Sequence, residues 1–154
     1  GCAPPSRSSS AFQKRTLPMG ILWRLVDALR QSGAQVHDLQ FGADAFRHRA
    51  LGLSPLPTGT GLTGFADTAR AVAQLDLVIS VDTAMAHLMG AMGRFGWVLL
   101  PWSADPRWLS AGALSPWYPR LRLFRQPRPG DWHGAVDQLL DTFKSGHVAA
   151  GKAP

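Results

Sequence analysis

The residues best suited to chemistry follow a short apolar run, where Asp82, Thr83 and Ala84 lead into a helical pattern that contains His87. The first amides of a helix have no acceptor within the helix, and the helix dipole is positive there, so such a turn suits an anion. Thr83 adds a hydroxyl donor, and the small Ala84 lets a phosphate approach the backbone. Residues four apart share a helix face, so His87 would reach a phosphate or sugar oxygen from the same side as Thr83. The alternative is that Asp82 only caps the helix and His87 only packs against the core.

Four short segments supply the strands that would position this turn. Residues 77–81 read L-V-I-S-V and end at the turn, and an apolar run of this length is typical of a strand buried on both faces. Residues 97–100 predict a second buried strand, which Pro101 ends, and residues 121–124 predict a third. Residues 35–41 alternate between polar and apolar side chains, which predicts a further strand.

Helical patterns lie between these segments. Pro18 and Gly33 bound a stretch whose apolar residues have helical spacing, and this predicts a first helix. Asp67 and Asp131 are expected to be the N-caps of two more helices, and another helix follows Thr83.

The alternation of strand and helix predicts an α/β fold, a Rossmann-like parallel sheet with flanking helices. We expect residues 17–145 to form this lobe, residues 1–16 to be an irregular lead-in and residues 146–154 to be a flexible tail. Open α/β sheets bind ligands outside the carboxyl ends of their strands. The positions expected at that edge are Gly42, the turn at Asp82 and Thr83, and Pro101 with Trp102.

Gly59, Gly61 and Gly64 spell G-x-G-x-x-G, the pattern of dinucleotide-binding turns. That function requires a strand directly before the glycines and a helix directly after them. Residues 54–58 read S-P-L-P-T instead, so the segment is interpreted as a flexible loop.

Aromatic and basic side chains offer further contacts to a nucleotide. Trp102, Trp108 and Trp117 lie among proline, serine and aspartate residues and are expected to be exposed, where they could stack on a base or a sugar; Trp23 and Trp132 are expected in the core. Lys14 and Arg15 could neutralise a diphosphate, although a solvated basic loop is the simpler interpretation.

Composition excludes several classes of function. The chain has 154 residues, a formal charge of +6 and a single cysteine, Cys2, which allows no internal disulfide and fits a reducing, cytoplasmic location. No apolar run reaches the length of a membrane span. The histidines lack metal-ligand spacing, so no metal site is predicted. The basic charge is scattered, and no known nucleic-acid-binding motif is present, so no nucleic-acid partner is predicted.

Several segments, in this order, resemble one family. They are residues 65–69 (F-A-D-T-A), 75–84 (L-D-L-V-I-S-V-D-T-A), 86–88 (A-H-L), 97–101 (W-V-L-L-P), 115–119 (S-P-W-Y-P) and 123–126 (L-F-R-Q). Together they resemble the C-terminal lobe of the glycosyltransferase domain of bacterial tetratricopeptide-repeat proteins. That domain is similar to the heptosyltransferase family, whose members carry a matching D-T/S-x-x-x-H segment.

The resemblance implies one lobe of a GT-B fold that holds a nucleotide-sugar donor without a metal or another cofactor. It implies that Asp82, Thr83, Ala84 and His87 meet the diphosphate and sugar, and that Lys14 or Arg15 neutralises the phosphates. The loops that contain Gln40, Gly42, Pro101 and Trp102 would flank the base or sugar. The acceptor, which the sequence does not identify, and the general base would belong to an N-terminal lobe or tetratricopeptide-repeat region that is expected to be missing from this chain.

The chain also departs from the family pattern. The family's first strand and the turn after it are not visible, and Phe95 and Gly96 stand where a proline and an apolar residue are usual; Gly96 is expected to weaken the start of its strand. Two functions therefore stay open. One is a donor-binding lobe that is incomplete for catalysis alone, and the other is a degenerate, non-catalytic lobe that binds a nucleotide or a protein.

Overall fold

A computed structural model describes residues 15–40, 52–53 and 64–146. In this part of the chain, strands alternate with helices, as the sequence predicts. The elements in chain order are α1 (Met19–Gln31), α2 (Phe65–Ala73), β1 (Val78–Val81), α3 (Ala84–Ala91), β2 (Gly96–Leu100), a 3-10 turn (Pro106–Trp108), β3 (Leu121–Arg125) and α4 (Trp132–Lys144).

The three strands form a parallel sheet in the order β1-β2-β3, so the predicted α/β fold with flanking helices is confirmed. Val81 of β1 pairs with Leu99 of β2, and Leu100 of β2 pairs with Arg125 of β3. The carboxyl ends of all three strands therefore meet at one edge of the sheet. Every residue of the central β2 is buried, whereas most of β1 is only half-buried because β1 is an edge strand of the described sheet.

Side chains of β2 alternate between two cores on opposite faces of the sheet. Trp97 and Leu99 pack against a cluster built from α1 and α4. Val98 and Leu100 pack on the other face, where α2 and α3 contribute Val72, Ala86 and Met89 and the buried Trp108 completes the cluster. Helices therefore cover both faces, which explains the nearly continuous apolar sequence of β2.

Two of the helix boundaries follow the predicted signals. Gly33 adopts a positive φ of 85° just after α1, the conformation that favours glycine at a helix end. The Asp131 side chain accepts a hydrogen bond of 2.9 Å from the Gly134 backbone N–H and so caps α4. The prediction for Asp67 is wrong, because Gly64 is the N-cap of α2 and Asp67 lies within its first turn. An acidic residue there still favours the helix, because it faces the positive end of the dipole.

The strand predicted over residues 35–41 is not formed in its described part, residues 35–40, which contains a single bridging residue, His37. Val36 packs against one core cluster and Leu39 against the other. In residues 35–40, apolar side chains thus pack toward two cores, and strand pairing is limited to the bridge at His37.

Gly96 has a packing role that the expectation of a weakened strand overlooked. A Cβ atom at this position would lie 2.5 Å from the Met89 sulfur and 2.8 Å from a Leu121 methyl carbon. Glycine therefore allows α3 to approach the sheet, and β2 begins at Gly96 itself.

Two tryptophan predictions need correction. Trp23 is exposed on α1, because it lies on the face of the helix that points away from the sheet, whereas Trp132 is buried as expected. Trp108 was expected on the surface and is fully buried, because its indole N–H finds an acceptor inside the protein, as described below.

Several predictions lie outside the described residues. These are the lead-in up to residue 14, the tail from residue 147, and the loop with Gly59 and Gly61. None of the helices in the described part of the chain is long and apolar enough to cross a membrane.

Candidate functional site

The carboxyl edge of the sheet gathers the turns that follow β1, β2 and β3. Asp82 follows β1, Pro101 follows β2 and Gln126 follows β3. The buried Gln126 carboxamide oxygen accepts hydrogen bonds of 3.1 Å from the backbone N–H groups of Trp102 and Gly130. The loops after β2 and β3 are thereby joined, and Trp102 is fixed at its backbone next to the edge.

Asp82 is buried, with 3% of its surface exposed, and binds two partners. Its Oδ1 accepts a hydrogen bond of 2.9 Å from the Trp108 indole N–H, and Arg15 Nε lies 3.5 Å from its Oδ2. Oδ2 has no hydrogen-bond partner, so the carboxylate depends on the Arg15 ion pair for charge compensation. Burial of an uncompensated carboxylate costs several kcal/mol.

The N-cap of α3 is Thr83, and no side-chain capping bond is made there. The alternative that Asp82 only caps this helix is therefore wrong. Asp82 instead ties the turn after β1 to Trp108, which belongs to the loop between β2 and β3.

Thr83 and Ala84 are exposed at the start of α3. The Thr83 hydroxyl lies 3.2 Å from the Ser80 hydroxyl and 3.4 Å from the Val81 carbonyl oxygen, which holds the side chain beside the end of β1. The N-terminus of α3 therefore begins with two exposed residues and an oriented hydroxyl, and this arrangement can receive an oxyanion.

His87 is held on three sides. Its ring stacks on Trp108, with ring centroids 5.3 Å apart and an interplanar angle of 20°. Nδ1 lies 3.2 Å from the Tyr118 hydroxyl oxygen, and Nε2 lies 3.2 Å from Nη1 of Arg107. The ring is thus neither a simple core residue nor free to contact a ligand with both nitrogens.

The partners of His87 fix the position of its proton. A guanidinium group has only donors, so Nε2 accepts from Arg107. In the neutral ring the proton is then on Nδ1, which donates to the Tyr118 oxygen. The hydroxyl hydrogen of Tyr118 then has no acceptor among the described residues.

Arg107 is the functional residue that the sequence reasoning missed. Its Nε and Nη2 donate to the two Asp105 carboxylate oxygens at 2.8 and 3.1 Å, and its backbone N–H donates to the same carboxylate at 3.0 Å. These hydrogen bonds lower the pKa of Asp105 from 3.8 to about 2 and raise the pKa of Arg107. The guanidinium is half-exposed, so it is a permanently charged, oriented donor at the surface.

Further hydrogen bonds hold the turn that contains Arg107 in place. The Trp117 indole N–H donates to the Arg107 carbonyl oxygen at 2.9 Å, and the Arg125 side chain donates to the Trp108 carbonyl oxygen. Gly90 leaves room for Tyr118, because a Cβ there would lie 2.4 Å from Cγ of the tyrosine ring. An aspartate two residues before an arginine at a proline-containing turn was the sequence signal that could have revealed this site.

The edge has a positive balance. Arg15 is paired with Asp82 and Arg107 with Asp105, whereas the Arg125 side chain donates to the Trp108 carbonyl oxygen. Burial lowers the pKa of Arg125, and its Nε has no hydrogen-bond partner. The excess positive charge adds to the helix dipole of α3, and both favour an anionic ligand.

The structure does not link the remaining predicted site residues to the carboxyl edge of the sheet. Gln40 is exposed, its backbone N–H donates to Asp38 at 2.9 Å, and no hydrogen bond within the described residues joins it to the edge. Lys14 and Gly42 lie outside the described residues. The part of the chain that the structure describes contains no group of three His, Cys, Asp or Glu residues able to hold a metal ion.

Comparisons with known proteins give no relative, because no family model, no curated protein and no solved structure matches the chain.

Proposed function

We propose that this chain is the donor-binding lobe of a metal-independent glycosyltransferase of the GT-B type, and that it holds the diphosphate of a nucleotide sugar at the carboxyl edge of its sheet. The observation that carries the proposal is the fixed guanidinium of Arg107, held by Asp105 and by His87 of the first turn of α3. An oriented cation beside a helix N-terminus is an arrangement that suits a diphosphate.

In the proposed reaction, the bond between the sugar's anomeric carbon and the diphosphate oxygen breaks, and a bond from that carbon to an acceptor oxygen forms. Negative charge develops on the leaving diphosphate. Arg107, the first amides of α3 and the Thr83 hydroxyl would stabilise that charge, because they are oriented before the reaction begins. The Tyr118 hydroxyl adds a neutral donor to the same edge.

Asp82 and His87 act as positioning residues in this proposal. A carboxylate repels a phosphate, so Asp82 serves by holding Trp108 and Arg15. His87 serves by accepting from Arg107 and stacking on Trp108. The D-T-x-x-x-H segment would thus bind phosphate through its backbone N–H groups and the Thr83 hydroxyl. Asp82 and His87 would hold the turn that contains Arg107 and Trp108 in position.

A non-catalytic, nucleotide-binding lobe is the second candidate, and a specific observation favours it. Both described carboxylates at this edge are engaged, Asp82 by Trp108 and Arg15, and Asp105 by Arg107. Neither is free to act as a general base toward an acceptor. Catalysis would therefore require a base from the N-terminal lobe or tetratricopeptide-repeat region that the family resemblance implies.

Calorimetric titration with ADP, UDP and GDP tests the proposal. We expect saturable binding of at least one nucleotide, weakened about tenfold or more by Arg107→Ala, since a charge-assisted contact to phosphate is lost. Arg70→Ala is the matched control, because Arg70 also forms an ion pair with an aspartate but lies on α2. If the folded wild-type chain binds no nucleotide, or if both variants bind equally well, the donor site is refuted.

Turnover separates the two candidates once binding is shown. A chain that binds the nucleotide but never releases sugar from the matching nucleotide sugar, even with an acceptor and an N-terminal GT-B lobe supplied in trans, is a binding module. Release that Arg107→Ala abolishes, and Arg70→Ala does not, establishes the transferase.

A further inference from the structure

We infer that Trp117 is the platform on which the nucleobase of the bound nucleotide stacks, an assignment that rests on the proposed function and adds the base subsite to its diphosphate site. Trp117 is 67% exposed, the largest exposed fraction among the large hydrophobic side chains of the described residues. A large apolar ring left in water beside a cationic site needs a reason, and a ligand that covers the ring supplies one.

The ring of Trp117 is held in place before any ligand arrives. The Ser115 hydroxyl, itself buried, accepts from the backbone N–H groups of Trp117 and Tyr118 at 3.3 and 3.2 Å. The indole N–H donates to the Arg107 carbonyl oxygen at 2.9 Å. The one polar group of the side chain is therefore already bound by the protein, which leaves the ring itself for a ligand.

The segment beneath Trp117 is also anchored to the sheet. Ser115 N–H donates to the Leu121 carbonyl oxygen at 3.1 Å, and Leu123 N–H donates to the Ala113 carbonyl oxygen at 2.8 Å. Residues 113–115 thus lie along the outer edge of β3, and Leu114 forms an antiparallel bridge with Arg122. The segment that leads to Trp117 is therefore anchored to β3, the strand that ends at the carboxyl edge.

Trp102 is the competing candidate for the base platform, but no hydrogen bond from the described residues holds its indole ring in place. Its backbone N–H is bound by Gln126, but its indole N–H has no hydrogen bond to any described residue, and the side chain is 58% exposed. A ligand that stacked on Trp102 would have to immobilise the ring first. Because a fixed ring avoids that cost in conformational entropy, the structure favours Trp117.

The surroundings of Trp117 suit a base better than a sugar. A sugar ring can stack its C–H face on an indole, but the hydroxyl groups around its rim then need polar side chains nearby. The exposed residues within two positions of Trp117 in the chain are Pro116 and Pro119, whose side chains offer no hydrogen bond. A base presents an apolar π-face that stacks on an aromatic ring without requiring hydrogen bonds from it.

The test compares nucleotides with inorganic pyrophosphate, which has no base. Titrations of wild type, Trp117→Ala, Trp117→Phe and Trp102→Ala with ADP, UDP, GDP and pyrophosphate are followed by calorimetry. We expect Trp117→Ala to weaken nucleotide binding about tenfold, or about 1.4 kcal/mol. Pyrophosphate binding should fall much less than nucleotide binding, because it loses only the bond from the indole N–H to the Arg107 carbonyl oxygen. Trp117→Phe should retain most of the nucleotide affinity, and Trp102→Ala should behave like wild type.

Each contrary result has a distinct meaning. If Trp117→Ala weakens pyrophosphate as much as ADP, or if Trp117→Phe is as weak as Trp117→Ala, then Trp117 only positions Arg107 and the inference is overturned. If wild type binds pyrophosphate as tightly as the nucleotides, the diphosphate site stands and the base platform does not. If wild type binds none of them, both the proposed function and this inference fail.

A second experiment applies if the Trp117→Ala variant does not fold. In wild type, magnetisation transfer between the base protons of bound ADP and the Trp117 ring protons would support the inference, and its absence would overturn the inference.

Discussion

Arg107 and His87 are joined by a hydrogen bond of 3.2 Å, from Nη1 of the guanidinium to Nε2 of the imidazole. This bond couples the turn after β2 to the first turn of α3, so the two parts of the proposed phosphate site have a fixed relative position. Because an arginine has no acceptor, the bond exists only while His87 is unprotonated at Nε2.

The first prediction concerns His87. Replacement His87→Ala removes the acceptor of Arg107 and the ring that stacks on Trp108. We expect the affinity for nucleoside diphosphates to fall about fivefold to tenfold, because one hydrogen bond to a charged group is lost. His87→Gln is the informative partner, since its carboxamide oxygen can reach the former Nε2 position and accept from Arg107. Calorimetry on both variants checks this, and equal losses would show that the hydrogen bond does not matter.

The second prediction concerns pH. Hydrogen bonds from Arg107 lower the pKa of Asp105 from 3.8 to about 2. A pKa that is lower in the folded state means that the pair stabilises the fold above the unfolded value of 3.8 and that this contribution disappears as the pH falls toward 2. We therefore expect the Asp105–Arg107 pair to persist under mildly acidic conditions.

An NMR titration of the Asp105 side-chain carboxyl carbon measures this directly. The midpoint is expected near pH 2 in the wild type, and close to the ordinary aspartate value in Arg107→Ala. A wild-type midpoint near 4 would show that the guanidinium does not bind the carboxylate in solution.

The third prediction concerns the buried carboxylate of Asp82. Asp82→Ala leaves the buried Trp108 indole N–H without its acceptor, which we expect to cost about 1–3 kcal/mol of unfolding free energy. Asp82→Asn keeps an acceptor oxygen for the indole and loses only the ion pair with the partly exposed Arg15, so its cost should be smaller. Urea denaturation monitored by circular dichroism gives both values.

The exposed Asp27, which accepts a hydrogen bond from Gln31 on α1, is the control for Asp82. Asp27→Ala should change stability by less than about 0.5 kcal/mol. Equal effects of Asp27→Ala and Asp82→Ala would mean that the Asp82–Trp108 bond contributes nothing to the fold.

The sequence was sufficient for the features that depend on local pattern. The buried strand β2 follows from the apolar run before Pro101, and the start of α4 follows from the Asp131 cap. The turn after β1 was also predictable, because a buried strand that leads directly into a helix exposes that helix's first amides at the carboxyl edge.

The candidate site at the carboxyl edge could not be predicted to the same extent, because the hydrogen bonds between its side chains join residues that are far apart in the chain. Asp82 was expected to meet a phosphate, with capping of α3 as the alternative, but it accepts a hydrogen bond from Trp108, 26 residues away. Arg107 gave no helical or strand signal, and its importance arises from contacts with His87 and with the Trp117 indole. Trp108 is buried against expectation because its indole N–H has an acceptor, Asp82, that no local pattern reveals, whereas Trp23 is exposed because it lies on the outer face of α1.

The fourth prediction concerns the glycine beneath Tyr118. A Cβ at Gly90 would lie 2.4 Å from Cγ of the tyrosine ring, so Gly90→Ala must displace Tyr118 and with it the hydroxyl that contacts His87. Such overpacking typically costs about 1–3 kcal/mol. Gly20 in α1 is the matched control, because a Cβ there has no atom within 4 Å, and Gly20→Ala should stabilise the fold by about 0.5–1 kcal/mol through the better helix propensity of alanine. Thermal unfolding of the two variants should therefore shift in opposite directions. A Gly90→Ala chain as stable as wild type, with unchanged nucleotide affinity, would show that the tyrosine is free to move and does not hold His87 in place.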